Sequence, residues 1–379
     1  MNVAIVTSFP FPNGKATANR IQVFADELQK NAKIDRVEII CCSDQESNHS
    51  FTNESLKISN IKVGSVNKNR MILRALHEIN VAIKLWRRAR SANVDLVLVT
   101  VPSIFLLIPL MISGGKEALA LDIRDVVWTY FGEGAIPKIA SLIVKKLFSY
   151  AARRADIISV TNTQEAQHVA LLAERDPIVV SNGISISRLL EMSSLELKHR
   201  ERSVKLAYVG NVGIAQELDR LLDFSKKFAD LEVTIVGDGA KLRELKARCN
   251  VEVIENVSFT GAVTPDQVLE HISSADILFA QIGVNFRSAV PTKVFEYIAS
   301  GRKILLGLPN GPAREVFSKF YGVEIFDVGN DSQFEASFRR LLAFDLNHEL
   351  RELNLTLLKQ KYIREDDAAH LVRAITEIR

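Results

Sequence analysis

Cysteine is scarce in this chain, which has three in 379 residues. Cys41 and Cys42 are adjacent in an apolar stretch, and Cys249 stands alone. None has the CxxC spacing of a redox motif or the spacing of a metal site. The sequence therefore lacks a cysteine motif for metal or redox chemistry, and we expect reduced thiols in the cytoplasm.

Long uninterrupted hydrophobic runs are also missing. The apolar run in the N-terminal MNVAIVTSF is too short for the core of a signal peptide. The most hydrophobic window, residues 96–112, approaches the length of a membrane span but contains Pro102, Ser103 and Pro109. We interpret it as a buried strand at 95–101, followed by a helix that starts after Ser103 and packs against a sheet.

Neither charge sign is in large excess, since the net charge is +3, and nucleic acid is not an expected partner. The first 200 residues nevertheless carry 25 Lys and Arg against 19 Asp and Glu. Such a basic half suggests an acidic partner, either a membrane surface or a phosphate-linked acceptor. A difference of this size also arises by chance, and the sequence leaves both explanations open.

Motifs for redox and metal chemistry are missing too. No GxGxxG follows the first predicted strand, which argues against a dinucleotide-dependent oxidoreductase. The seven histidines are scattered, and no cluster of metal ligands is visible. The residues themselves therefore indicate no metal or cofactor site.

Predicted strands and helices alternate along the chain. Apolar strands such as residues 3–7 and 95–101 are followed by amphipathic helices such as 18–30, and the pattern restarts at residue 204. This alternation predicts an α/β fold with two Rossmann-like, doubly wound parallel sheets. The polar segment 191–203 separates the two regions, so we predict domains at 1–190 and 204–379 joined by this linker.

Residues 286–301, FRSAVPTKVFEYIASG, form the most informative stretch. Pro291 suits a first helical turn, and Gly301 suits the position just after a helix end. A helix N-terminus with Lys293 beside it is an anion site, and Glu296 can accept hydrogen bonds from hydroxyl groups. A phosphate site and a hydroxyl acceptor on one helical turn suit a sugar nucleotide.

The segment PTKVFEYIASGRKILLG resembles the donor-site signature of the group 1 (family 4) retaining glycosyltransferases, in particular the branch that builds bacterial O-antigens and capsules. LDIRDVVW, YVGNVGIAQELDRLL, VGDGAKLREL and FTGAVTPDQV resemble other segments of the same family. The resemblance implies the GT-B architecture, in which two Rossmann-like domains face each other across a cleft. The first domain would bind the acceptor and the second the donor. Many relatives send the final helix back to the first domain, and residues 366–378 are placed to do so.

The chain departs from the family at three donor positions. Asn211 and Gln216 stand where many members carry an Arg and a Lys that clamp the donor diphosphate, and Ser288 replaces an acidic residue that contacts the donor sugar. We therefore expect Arg287 and Lys293 to supply the cationic clamp. A solvated helix-end lysine is the alternative for Lys293.

Glu296 stands where the family binds the nucleotide ribose, and the glycines follow strands where backbone approaches the phosphates. The predicted donor-binding residues are Gly14, Gly210, Asn211, Gly237, Arg287, Thr292, Lys293 and Glu296. The predicted catalytic residues are Asp125, Arg287 and Lys293.

Acceptor contacts are predicted in the first domain. Asp125 would orient or deprotonate the acceptor hydroxyl, although an N-cap role explains an Asp there equally simply. Asn19 and Arg20 would face the cleft at the start of a helix, together with Arg124. Trp128 would stack on a sugar or lipid, or pack in the core.

Two predicted helices, 68–90 and 138–154, are basic and amphipathic. Such helices can lie on anionic membranes, although a solvated face over a packed core is the simpler alternative. Both belong to the domain that binds the acceptor in the family. A polyprenyl-diphosphate-linked glycan acceptor would explain why they occur together.

The resemblance implies a retaining glycosyltransferase of hexosyl or N-acetylhexosaminyl type, with a UDP-sugar favoured as donor. It also implies that the enzyme is metal-independent and needs no cofactor, since the nucleotide-sugar is a substrate. We expect it in the cytoplasm, attached peripherally to the inner face of the plasma membrane. One alternative is a non-catalytic partner or scaffold that kept the fold, as the changes at Asn211, Gln216 and Ser288 suggest. A nucleotide-sugar epimerase or hydrolase is disfavoured by the scattered histidines.

Overall fold

The computed structural model describes residues 1–12, 16–43, 55–64, 71–101, 104–109, 116–124, 126, 135–196, 203–228 and 230–378. These residues form two compact units, which are described separately. The first comprises residues 1–182 and 364–379, and the second residues 183–363. The predicted linker at 191–203 thus begins inside the second unit, and the C-terminal helix belongs to the first unit.

The first unit is built on a parallel sheet. In chain order its described strands are β1 Asn2–Val6, β2 Arg36–Ser43, β3 Leu56–Lys62, β4 Leu96–Val101, β5 Ala118–Ile123, β6 Ile157–Val160 and β7 Ile178–Val179. They lie in the order β3-β2-β1-β4-β5-β6-β7. The described helices are α1 Ala16–Lys30, α2 Met71–Ser91, α3 Ala135–Arg154, α4 Thr163–Ala173 and, at the C-terminus, Arg364–Glu377. Strand β4 is buried along its whole length, which confirms the strand predicted at 95–101.

The window 96–112 is a strand followed by a tight turn of 3-10 helix at Ile104–Leu107, where Leu106 and Leu107 are buried. Residues 110–115, into which the predicted helix would continue, lie outside the described residues. Among the residues that the structure does describe, no helix combines the length and the apolar character needed to cross a bilayer.

The second unit repeats the same plan. Its described strands are β8 Val204–Val209, β9 Leu231–Val236, β10 Val257–Gly261, β11 Ile277–Gln281, β12 Lys303–Leu308 and β13 Val323–Asp327. Its described helices are α5 Ile186–Ser193, α6 Asp219–Ser225, α7 Leu242–Glu252, α8 Pro265–Ser274, α9 Thr292–Ala299, α10 Pro312–Phe317, α11 Asp331–Ala343 and α12 His348–Lys361. The C-terminal helix of the first unit, α13, follows them.

The strand order in the second unit is β10-β9-β8-β11-β12-β13, and its pairs are parallel. The order reverses between β8 and β11, which is the switch point of a doubly wound sheet. Ligands bind such sheets outside the carboxyl ends of the strands at this point. The two-sheet α/β prediction is confirmed, and the switch point indicates where to look for a site.

Candidate nucleotide-binding site

Helix α9 lies beside the switch point of the second unit. The predicted apolar face is buried, at Val294, Phe295, Ile298 and Ala299. Pro291 is the N-cap residue rather than the first helical residue, with φ −71° and ψ 114°. Since proline has no side-chain acceptor, the amides of Thr292 and Lys293 have no side-chain cap and are available to an anion, whereas the Val294 amide donates to the Pro291 carbonyl. Gly301 adopts φ +72° just after the helix end, as predicted.

Lys293 reaches from the first turn of α9 to the end of β8. Its Nζ donates a hydrogen bond to Tyr208 Oη at 2.8 Å and lies 4.1 Å from the centroid of the Tyr208 ring. Burial lowers the pKa of Lys293 to about 7, and the negative charge of Glu296 partly opposes this shift. A ligand that brings negative charge would therefore raise the pKa and protonate this amine.

Two glycines bring the backbone close to Lys293. Gly210 adopts φ +142°, and a Cβ there would lie 2.5 Å from Lys293 Nζ. Gly237 adopts φ +129°, and a Cβ there would lie 1.9 Å from the Gly210 carbonyl oxygen. Side chains at these positions would be strained and would clash. Gly210 thus borders the Lys293 amine, whereas Gly237 allows the two strand-end loops to pack together.

Tyr297 fixes α9 to the end of β8. Its buried hydroxyl accepts a hydrogen bond from the Val209 amide at 3.0 Å and donates one to the Val209 carbonyl at 2.9 Å. Both polar groups of one strand-end residue are therefore satisfied by one side chain. This tie holds the uncapped helix end next to Gly210.

The Glu296 carboxylate lies one turn after Lys293 and is about one-third exposed. Arg188 on α5 donates a hydrogen bond to Glu296 Oε2 from Nε at 3.0 Å, and its Nη2 forms an ion pair with the same oxygen at 2.9 Å. This contact was not predicted from the sequence, because residue 188 falls within the predicted first domain. The only sequence signal was position: Arg188 follows the Asn182-Gly183 turn.

Asn211 and Gln216 close their own loop. Gln216 Oε1 accepts from the Gly213 amide at 3.1 Å and from Asn211 Nδ2 at 3.5 Å. The Asn211 carbonyl accepts from Tyr208 Oη at 2.6 Å. These neutral side chains therefore stabilise the loop after β8 without adding positive charge.

Arg287, the second predicted cation, is exposed on the loop between β11 and α9. Its Nε donates to the Val284 carbonyl at 3.3 Å, a contact within the same loop. Thr292 is the first residue of α9. Of the predicted cations, Lys293 is the one that the structure packs against Gly210.

The first unit uses Arg20 structurally. Its guanidinium forms two hydrogen bonds with Asp122, at 2.7 and 3.0 Å, and a third with the Val180 carbonyl at 2.9 Å. Arg20 is 2% exposed and Asp122 is fully buried, and Ser159 also donates to Asp122 at 2.8 Å. Arg20 was predicted to contact the acceptor, but its guanidinium is buried and bonded within the unit, so that prediction does not fit the structure.

The other predicted acceptor residues divide into two groups. Asn19 is exposed on α1, and Arg124 is partly buried with its Nη1 donating to Thr17 Oγ1 at 2.5 Å. Three predicted residues lie outside the described residues, and their roles stay predictions. They are Asp125, Trp128 and the donor residue Gly14. Within the described ranges, no group of three or more His, Cys, Asp or Glu side chains is placed to hold a metal ion.

Comparison with known proteins finds a family model that matches most of the second unit. Residues 193–353 match the model described as glycosyl transferases group 1, which confirms the predicted resemblance to group 1. This range contains β8, α9 and the Lys293 and Glu296 side chains. A search of curated protein sequences found no match.

Similar solved structures cover the whole chain. Sucrose-phosphate synthase from Thermosynechococcus elongatus is 10% identical with a TM-score of 0.78, covering 100% of this chain and 98% of that one. HepE from Anabaena, solved in complex with UDP, is 13% identical with a TM-score of 0.67 and covers 100% of both chains. WaaG, a glycosyltransferase involved in lipopolysaccharide biosynthesis, is 14% identical with a TM-score of 0.69, covering 98% of this chain and 99% of that one. At these identities the likeness shows the fold, which is that of the GT-B glycosyltransferases.

Proposed function

We propose that the protein is a retaining glycosyltransferase that moves a sugar from a nucleotide-diphosphate donor to a glycan hydroxyl. The observation that carries the proposal is the first turn of α9. There an uncapped helix end, the Lys293 amine against Gly210, and the Glu296 carboxylate lie together at the switch point. The match of residues 193–353 to group 1 glycosyl transferases supports this function.

The donor would bind in a defined orientation. Its diphosphate would lie on the first amides of α9 and beside Lys293, and its ribose hydroxyls would donate to Glu296. UDP is the favoured nucleotide, and the similar fold of HepE, which was solved with UDP, supports that choice. Lys293 and the helix N-terminus would neutralise the leaving diphosphate, and we propose that no metal is required.

The chemical step would use few protein groups. In a front-face retaining reaction the leaving phosphate itself accepts the proton of the acceptor hydroxyl. Lys293, with Arg287 brought in from its loop, would stabilise the negative charge that develops on that phosphate. Asp125 remains the candidate for orienting the acceptor hydroxyl.

The acceptor proposed here is a lipid-linked glycan of surface polysaccharide synthesis, and α3 supports it. Ile139, Leu142 and Ile143 are exposed by 58%, 59% and 63% of their side-chain surface. Lys138, Lys145 and Lys146 are exposed on the same helix. Exposed apolar and basic side chains on one helix suit the interface of an anionic membrane.

Helix α2 gives weaker support. Leu73 and Leu76 are exposed, but Trp86 is buried, and its Nε1 donates to the Leu106 carbonyl at 2.8 Å. Arg88 is used inside the unit, where it forms an ion pair with the buried Glu38. The proposed membrane contact therefore rests on α3.

A non-catalytic partner with the same fold is the second candidate. The neutral Asn211–Gln216 pair, where many relatives carry cations, is the observation that favours it. The two candidates differ in whether the site at α9 binds a nucleotide.

Differential scanning fluorimetry of the full chain with UDP, GDP, dTDP and ADP, with and without EDTA, tests the proposal. A nucleotide at a hundredfold excess over its dissociation constant raises the free energy of unfolding by roughly 2.7 kcal/mol. We expect a shift with one nucleotide that EDTA does not change and that Glu296→Ala abolishes. No shift with any nucleotide would favour the non-catalytic candidate.

A further inference from the structure

The Glu296 carboxylate is held from one side only. The hydrogen bond from Arg188 Nε and the ion-pair contact from its Nη2 reach the same oxygen, Oε2. Within the described residues no hydrogen bond reaches the other oxygen, Oε1. One oxygen is therefore fixed, and the other is left to accept hydrogen bonds from a ligand.

The guanidinium of Arg188 is itself fixed. Its Nη1 donates to Glu191 Oε2 at 2.5 Å, so the group lies between two carboxylates. Arg188 is 25% exposed, which means that most of its surface is shielded from water. A planar guanidinium with donors committed on both sides has little freedom to rotate.

The backbone under Arg188 is also fixed relative to α9. Ser185 caps α5, and its Oγ accepts from the Arg188 amide at 3.3 Å. Leu189 and Met192 of α5 are buried in the same core as Val294 and Ile298 of α9. The distance between Arg188 and Glu296 is thus set by helix packing and not by two flexible surface side chains.

We infer that Arg188 is a positioning residue for ribose recognition: it orients Glu296 so that Oε1 accepts from the ribose hydroxyls. The inference rests on the proposed nucleotide site. Glu296 has a second cation in its neighbourhood, Lys293, whose pKa its charge affects. Without Arg188 the carboxylate would turn toward Lys293 and away from the ribose.

The test compares UDP with 2′,3′-dideoxyuridine diphosphate, which lacks the ribose hydroxyls, by isothermal titration calorimetry on the full chain. We expect Arg188→Gln to weaken UDP binding about tenfold, or about 1.4 kcal/mol, and to leave the dideoxy nucleotide unaffected. The double variant Arg188→Gln with Glu296→Gln should bind UDP as tightly as Glu296→Gln alone, since the two substitutions remove the same interaction. If the panel above selects GDP, the matching guanosine compounds take the place of the uridine pair.

Two controls separate positioning from general stability. Glu191→Gln removes the other partner of Arg188, and Arg220→Gln removes another arginine–carboxylate contact of this unit, with Asp331 at 3.5 Å. Arg220→Gln should leave binding of both nucleotides unchanged, whereas Glu191→Gln, which loosens the Arg188 guanidinium, should weaken only UDP binding and by less than Arg188→Gln does. Arg188→Lys keeps the charge but not the planar donors, and it should restore part of the UDP affinity.

Three results would overturn the inference. An equal loss for both nucleotides in Arg188→Gln or Arg188→Lys would show a general structural role. Full UDP affinity in Arg188→Gln would show that Glu296 needs no partner. Wild-type protein that binds none of UDP, GDP, dTDP and ADP would remove the proposed function itself. That outcome differs from normal binding by the wild-type protein with no effect of the Arg188 substitutions, which would remove only the inference.

Discussion

The Nζ of Lys293 lies 2.8 Å from the Tyr208 hydroxyl oxygen and 4.1 Å from the centre of the Tyr208 ring. Tyr208 in turn donates to the Asn211 carbonyl, so its hydroxyl oxygen is free to accept from the lysine. The groups that face the amine are thus an uncharged ring on β8 and the Glu296 carboxylate on its own helix. A cation held mainly by an aromatic ring in a buried place is easily deprotonated.

The first prediction concerns the pH dependence of diphosphate binding. The pKa of Lys293 is lowered to about 7 in the empty site, and a bound diphosphate would raise it. Binding above this pH then requires proton uptake, so UDP affinity should fall as the pH rises from 7 to 9, by up to about tenfold per unit. Calorimetry over this range checks the prediction.

Lys293→Arg is the control for this experiment, because an arginine stays charged throughout the range. Its UDP affinity should be independent of pH between 7 and 9. If the UDP affinity of the wild-type protein is also independent of pH between 7 and 9, Lys293 does not take up a proton on binding.

The second prediction concerns Gly210. An alanine there would hold φ +142° with a Cβ 2.5 Å from Lys293 Nζ. We expect Gly210→Ala to lower the free energy of unfolding by roughly 1–3 kcal/mol and to weaken UDP binding, because Lys293 must move. Gly64→Ala, where nothing lies within 4 Å of the new Cβ, should change stability by no more than about 0.5 kcal/mol. Urea unfolding measures both, and equal effects would contradict the argument from close approach.

The third prediction concerns the buried Arg20–Asp122 pair. Asp122→Asn leaves the Arg20 guanidinium without its counter-charge in a site that is 2% exposed. Loss of one partner from a buried pair costs roughly 3–5 kcal/mol, so Asp122→Asn should unfold at much lower urea concentration. Glu78→Gln breaks the exposed pair with Arg74 and should cost less than about 1 kcal/mol. An Asp122→Asn variant that unfolds at the same urea concentration as the wild-type protein would contradict a structural role for the pair. Arg20 would then again be a candidate for contact with substrate.

The fourth prediction concerns α3 and membranes. We expect the protein to sediment with vesicles of phosphatidylcholine and phosphatidylglycerol, less so at high salt, because charge attraction is screened. Leu142→Glu should abolish sedimentation, since it places a carboxylate among exposed apolar and basic side chains. Leu171→Glu, on α4 at a leucine that is 80% exposed, is the matched control and should bind normally. Equal losses in both variants would mean that α3 has no special role.

Local patterns made α9 predictable. Its apolar spacing, its proline and its terminal glycine are all visible in residues 286–301, and the helix, its buried face and the position of Gly301 follow from them. The N-cap differed by one residue from the prediction, since proline is acceptable at either position of a helix start.

Long-range pairs could not be predicted in the same way. Arg188 and Glu296 are 108 positions apart, and Arg20 and Asp122 are 102 apart. Each pair meets because of strand order and helix packing, which a charge pattern does not encode. The sequence therefore indicated Glu296 and Lys293 correctly as neighbours on one helix, but it did not reveal Arg188, and it predicted that Arg20 would face the cleft.

A crystal structure of the full chain with UDP tests the central claim most directly. We expect the ribose hydroxyls to lie within about 3.2 Å of the Glu296 carboxylate and the diphosphate to lie on the amides of Thr292 and Lys293. Arg188 should keep its contact with Glu296 in the complex. UDP bound elsewhere on the protein, with Glu296 and the start of α9 unoccupied, would contradict the account.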